Sequence, residues 1–141
     1  VFDLPENAET ARKFIKREKL RERIEVVGGD FKKDELPEDF DLVLLANFMS
    51  VADPQENQDL LEKIYQKLPP DGVCLISGWI IDDSRLSPQI SVLFCLEDIC
   101  WDAPDVERSE AVYKNWLRKA GFKKIKCKTY LKPTKMLYGV K

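Results

Sequence analysis

Val1-Phe2-Asp3-Leu4-Pro5 and, about one βα unit later, Val26-Val27-Gly28-Gly29-Asp30-Phe31 decide the fold of this chain. Each sets a carboxylate just past an apolar, β-branched run, and an open α/β sheet binds its ligand beyond the carboxyl ends of its strands. An ionised aspartate is a pure hydrogen-bond acceptor, so a pair of them suits an adenosine. One can accept from two vicinal ribose hydroxyls and the other from the exocyclic adenine amine. Taken alone, either acid reads equally well as a turn residue.

Outward from these stops, Glu6 to Leu20 predicts a helix with Ala8, Ala11, Phe14 and Ile15 as its apolar stripe and Pro5 at its start. Ile24 to Val27 predicts a short buried strand stopped by Gly28-Gly29. Asp41-Leu42-Val43-Leu44-Leu45-Ala46-Asn47 is a continuous apolar run between polar ends, the pattern of a central parallel strand buried on both faces. Gln55 to Leu68 carries Leu60, Leu61, Ile64, Tyr65 and Leu68 at helical spacing before the stop Pro69-Pro70-Asp71-Gly72. Gly72 to Ile81 is a second long buried strand, and Ser84 to Pro88 a loop. Ser91 to Trp101 is apolar enough for a helix lining a pocket or an interface. Glu107 to Ala120 predicts a helix with Val112, Trp116 and Ala120 on one side, closed by Gly121. Lys123 to Tyr130 and Lys135 to Val140, joined by Leu131-Lys132-Pro133-Thr134, predict an antiparallel hairpin. The order defines an α/β fold with a mostly parallel, Rossmann-like sheet and an antiparallel C-terminal edge.

A chain of 141 residues fits one domain with a real core. With 44% hydrophobic and 34% charged residues it is too apolar for disorder, yet no apolar run approaches the roughly 20 residues of a membrane span. Cys74, Cys95, Cys100 and Cys127 lack metal-knuckle spacing and have mostly apolar neighbours, so they read as reduced core thiols of a cytoplasmic protein. The chain holds no histidine, which removes imidazole acid/base work, Ser-His and Cys-His dyads and most zinc sites from its own resources. Ala111 to Lys141 contains ten Lys or Arg and no Asp or Glu, so the first 110 residues carry −12 of the net −2. Such a tail invites a nucleic-acid hypothesis. Lys124, Lys126 and Lys128 nevertheless alternate with Ile125 and Cys127, which is how a strand keeps one face wet and its edge resistant to pairing. The alternation argues against a nucleic-acid partner.

Phe2-Asp3-Leu4-Pro5, Gly28-Gly29-Asp30-Phe31, Leu36-Pro37, Asp41 to Asn47, Leu68-Pro69-Pro70-Asp71-Gly72, and Glu107-Arg108-Ser109 leading to Ala120-Gly121-Phe122 run in one order over nearly the whole chain. In that order they resemble the class I S-adenosylmethionine-dependent methyltransferases, specifically the small-molecule O-methyltransferases of the caffeate and hydroxyneurosporene type. The resemblance implies S-adenosylmethionine as cofactor and a small-molecule methyl acceptor. It gives Asp3, followed by Leu4, the ribose diol, and Asp30 with Phe31 the adenine, and it sets Asn47 at the cofactor edge of the next strand. Family members also carry a glycine-rich strand-turn-helix and a helical dimerisation domain before this region. Residues 1–141 are therefore expected to be the later part of a catalytic domain, as a fragment or half of a split protein, homodimeric through the N-terminal domain. The family's strand order places the first strand between the one ending at Asp3 and the one at Asp41 to Asn47, so its loss leaves two unpaired inner edges.

The resemblance also locates the catalytic substitutions. Ser50 falls where the general-base histidine stands and Val51 where an aspartate follows it; a further acidic partner aligns near Gly78, while Glu107 keeps the acid that orients the base. A hydroxyl of high pKa cannot act as that base near neutrality. Methyl transfer is an in-line displacement whose barrier falls when nucleophile and methyl are held in near-attack geometry, so an ionised, thiol or amine acceptor needs no histidine. Glu107 reads as an acceptor-orienting acid or as charge complementing a helix N-terminus. Asp53 before Pro54 reads as a helix cap or as an orienting acid. Phe48, Trp79, Phe94 and Trp101 read as core or as pocket lining. The competing class is a catalytically degenerate relative that binds a nucleoside or a protein.

Overall fold

The computed structural model describes residues 1–50, 52–100 and 109–141, the side chains of 96–100 apart. Two compact units divide the chain, 1–39 and 40–141.

In the first unit, β1 (Phe2–Asp3) leads into α1 (Pro5–Arg17), whose first position is the proline that needs no intrahelical donor. The helix buries Ala8 completely and half-buries Ala11 and Ile15. Phe14 departs from the predicted stripe: it is half exposed, and the Arg17 guanidinium stacks 4.7 Å above its ring. The helix also ends three residues early, because Lys19 adopts a left-handed φ of 56° and the Leu20 amide turns back to the Ile15 carbonyl. The strand predicted at Ile24 to Val27 instead becomes β2 (Val27–Gly28), parallel to β1 and limited by that strand's two residues. Val26 stays outside it, its carbonyl accepting from Arg12.

In the second unit, β3 (Leu42–Ala46), α2 (Pro54–Lys67), β4 (Val73–Gly78), α3 (Gln89–Cys100), α4 (Glu110–Ala120), β5 (Lys123–Leu131) and β6 (Thr134–Val140) follow in order. The four strands form one sheet, β3-β4-β6-β5, with β3 parallel to β4 and the other pairs antiparallel. Cys74, Ile76 and Leu137 from the sheet, Leu60, Leu61 and Ile64 from α2, and Leu117 from α4 make its core. Gly121, at φ 107°, closes α4 as predicted, and a Cβ there would meet the Tyr65 ring at 2.8 Å. Tyr113, Trp116, Leu117 and Ala120 form the buried face of α4, with Val112 only half-buried. Lys124, Lys126 and Lys128 are exposed and Ile125 and Cys127 half-buried, which is the predicted alternation.

β3 corrects the prediction of burial on both faces: Leu42 and Leu44 are each about half exposed while Leu45 is buried. β3 pairs with β4 alone and β1 with β2 alone, so among the described residues each has one open edge, as the resemblance implied. Cys74 and Cys127 form no disulfide, and burial pushes the Cys74 thiol up to about 12. No helix among the described residues is long and apolar enough to cross a membrane.

One ion cluster ties the sheet to α4. Lys135, buried on the inward phase of β6, donates to Asp82 and, at 3.4 Å, to Glu110. Burial alone would lower the Lys135 pKa, but the two carboxylates raise it above its ordinary value. The Lys135 hydrogen bond, then that of Ser87, lowers Asp82; Lys114 leads the causes that lower Glu110. A carboxyl lowered on folding adds stability that is present above its unfolded pKa and lost as pH falls through the folded value. Asp82 and Glu110 are partly solvated, so Lys135→Met is expected to cost about 1–2 kcal/mol at pH 7. The gap between wild type and variant should begin to narrow below about pH 4 and keep shrinking as pH falls through the lowered folded values of the two carboxyls; urea unfolding at pH 7 and across the acid range measures it.

Candidate functional site

Asp3 stands at the carboxyl end of β1, exposed, and its side chain is fixed before any ligand arrives. Oδ1 accepts from the Leu4 amide at 2.7 Å and from Asn7 Nδ2 at 2.9 Å. Both contacts fall on one oxygen, which leaves Oδ2 as an acceptor. Leu4 sits at the N-cap position of α1, its side chain 41% exposed and its carbonyl accepting from Ala8.

Asp30 lies just beyond β2. Its Oδ1 accepts from the Lys32 amide at 3.0 Å, its Oδ2 pairs with Lys33 at 3.1 Å, and Asp34 caps its own amide at 2.8 Å. The Lys32 amide first, then Lys33, hold its carboxyl below the usual value, so it is ionised at neutral pH. The Lys33 side chain is 80% exposed, and a carboxylate offers about four lone-pair sites, so acceptor capacity remains for an amine. Phe31 beside it is half-buried, with the Lys32 ammonium 5.8 Å from its ring centroid. Gly29 is required by packing: a Cβ there would stand 2.6 Å from the Phe2 ring.

In the second unit, Asn47 leaves the end of β3 at φ 51°, and its amide donates to the Ser77 carbonyl at 2.7 Å. Its Oδ1 lies 3.6 Å from where a Cβ on Gly78 would stand, so the amide group occupies the neighbourhood of the acid that Gly78 lacks. Ser50 follows, half-buried between the buried residues Met49 and Ala52. Asp53 is a cap: it accepts from the Glu56 amide at 2.8 Å while Glu56 accepts from the Asp53 amide at 3.1 Å. Trp79 meets Phe94 edge-to-face at 5.0 Å, with Phe94 37% exposed. Glu107, Val51 and Trp101 lie outside the described residues. Ser109 caps α4, whose Glu110 amide donates to the Ile81 carbonyl and whose Ala111 amide donates to Asp83.

Three contributors escaped the sequence reading. Asn7 fixes Asp3 from one helical turn on, a spacing the sequence displays. Asn57 and Lys135 are polar residues on buried phases of α2 and β6, visible as misfits in otherwise apolar patterns.

A parallel β1–β2 pair with an acid beyond each strand end in the first unit, and in the second a sheet with an antiparallel C-terminal hairpin and a capped loop after β3, are the parts of a Rossmann-like methyltransferase fold. The chain superposes over its full length on the structure of human N-acetylserotonin methyltransferase in complex with SAM, with a TM-score of 0.87 at 30% identity, covering 39% of that chain. The O-methyltransferase domain family matches residues 1–123. This chain belongs to that family. It is 33% identical to human acetylserotonin O-methyltransferase over 123 residues, 87% of this chain and 35% of the relative. It is 32% identical to the L-tyrosine C(3)-methyltransferase of Streptomyces lavendulae over 126 residues, 86% of this chain and 34% of the relative. The chain thus spans about a third of the length of these two curated relatives.

Gly29→Ala should force the Phe2 ring away from the backbone just after β2 and lower stability by about 1–3 kcal/mol, read as a depressed Tm; an unchanged Tm would mean that Phe2 does not pack there.

Proposed function

We propose that the protein transfers a methyl group from S-adenosylmethionine to a small-molecule acceptor, with residues 1–141 supplying the adenosine-binding and acceptor-side parts of the catalytic domain. Asp3 carries the reading: a carboxylate fixed through one oxygen, with its other oxygen left to accept from a ribose diol. The acceptor set of the first unit fits adenosine, because Asp3 and Leu4 would hold the ribose side and Asp30 and Phe31 the base; the family resemblance adds Asn47. Bound S-adenosylmethionine supplies an electrophilic sulfonium methyl group.

Ser50 and Glu107 are assigned to the acceptor side. Ser50 can donate or accept a hydrogen bond and so orient an acceptor, but its hydroxyl cannot take a phenolic proton near neutrality. The acceptor therefore brings its own acidity, and rate comes from alignment. Relatives named for acetylserotonin and for tyrosine favour an aromatic acceptor, and the Trp79–Phe94 pair offers it an aromatic wall. A cytoplasmic protein, homodimeric through the family's N-terminal domain, completes the reading; the reduced thiols of Cys74 and Cys127 fit that compartment. Ser50 in the position of the base also favours the second reading, a binding module that has lost catalysis.

Calorimetry with S-adenosylhomocysteine on the full natural polypeptide tests the cofactor assignment, and no heat at millimolar ligand overturns it. Asp3→Ala should weaken binding by at least about 1 kcal/mol, roughly fivefold; unchanged affinity places the ribose elsewhere. Across acceptors of graded acidity, the inflection of kcat/KM against pH should follow the acceptor's own pKa. One inflection near about 6.5 for all of them would mark an imidazole base and refute the mechanism. Binding without transfer to any phenol, thiol or amine selects the module.

A further inference from the structure

The buried stripe of α2 reads Asn57, Leu60, Leu61, Ile64, with Leu68 at its end, and Asn57 is the polar member. Its side chain is fully buried. Nδ2 donates to the Met49 carbonyl at 2.8 Å and to the Ala52 carbonyl at 3.1 Å, one on each side of Ser50. Oδ1 has no partner among the described residues. A leucine would fill the same stripe without stranding a buried oxygen, so packing does not account for the asparagine. The double donation does account for it.

The same loop is anchored at both ends. The Asn47 amide ties its start to Ser77 of β4, and the Asp53–Glu56 capping box fixes its exit into α2. Between these anchors the five residues 48–52 would be free to move their carbonyls toward water. Asn57 turns two of them inward and leaves Ser50 half-buried between them.

We propose that Asn57 is a positioning residue for the acceptor-side loop, holding the backbone around Ser50 in one conformation without touching acceptor or cofactor. The inference rests on the acceptor-side assignment of Ser50 made above. Its consequence is a division of labour: the adenosine acids act on cofactor affinity, whereas Asn57 acts on the alignment step alone.

Asn57→Leu tests this in the full natural polypeptide, because it removes both donors and the stranded oxygen while keeping the branched shape of the side chain. Hydrogen exchange in residues 48–53 should accelerate at least about tenfold while β4 and the rest of α2 keep their protection. S-adenosylhomocysteine affinity should stay within about twofold, and kcat should fall by about ten- to a hundredfold, the range for a small misplacement of reacting groups. Unchanged exchange in the loop overturns the proposal, as does faster exchange spread through α2 and β4, which would make Asn57 ordinary core support. Faster exchange confined to the loop with unchanged kcat overturns it through the acceptor-side assignment, whereas loss of cofactor binding in the unsubstituted protein refutes the methyltransferase reading itself. If Asn57→Leu does not fold, Asn57→Ser, too short to reach both carbonyls, is read by the same outcomes.

Discussion

Strand β4 is hydrogen-bonded on both sides, parallel to β3 and antiparallel to β6, and the second unit is organised by that double pairing. A strand saturated on both edges has polar backbone to spare only beyond its last paired residue. At its end the Ser77 carbonyl still receives Asn47, extending the ladder past β3, and beyond it the Ile81 carbonyl receives the first turn of α4. Asp82, one residue further, receives Lys135 of the antiparallel neighbour. Three segments distant in sequence therefore converge on the carboxyl end of one strand. Parallel pairing with β3 also demands a crossover, and α2 is that crossover. Its buried face must match the sheet while its first turn closes the loop that leaves β3, so a single helix serves both core and loop.

Elements were legible where local chemistry decides them. Asp53-Pro54 with Glu56 three residues on, Pro69 to Gly72, and Gly121 each fix a boundary without help from elsewhere in the chain, and α2, β4 and α4 lie close to their predicted spans. Elements decided by neighbours were not. An apolar run reports that Leu42 and Leu44 can be buried, not whether anything covers them. Phe14 fits the helical stripe of α1, yet the helix buries its small residue Ala8 and leaves the larger ring to pair with Arg17. β2 is short because its partner is short, a fact about β1 rather than about Ile24 to Val26.

The candidate site divides in the same way. Acceptor chemistry is a property of the residue, so Asp3 and Asp30 could be singled out from their types and their places after apolar runs. Their working state depends on contacts: Asn7 commits one oxygen of Asp3, and an exposed lysine shares Asp30. Asn57 and Lys135 were visible only as polar residues in apolar phases. What each one holds lies 5 to 53 residues away, outside the reach of a local pattern.

If Ser50 takes the acceptor side as proposed, the loop that carries it gains importance. An imidazole base tolerates some imprecision, since proton removal raises the nucleophile's reactivity whichever way it approaches. Without that base, an in-line displacement keeps only the gain from holding nucleophile and methyl on one axis. That gain decays with small displacements, so the backbone presenting Ser50 has to be stiff. A loop tied at Ser77, clamped in the middle by a buried amide and ended by a reciprocal cap is stiff by hydrogen bonding rather than by packing. In the first unit, Gly29 is packed under the Phe2 ring and Asp3 is pinned by Asn7, again before any ligand binds. Both halves are thus preorganised by short-range contacts of their own. On the proposed reading, with no histidine among residues 1–141, geometry of this kind is what these residues contribute to the transfer.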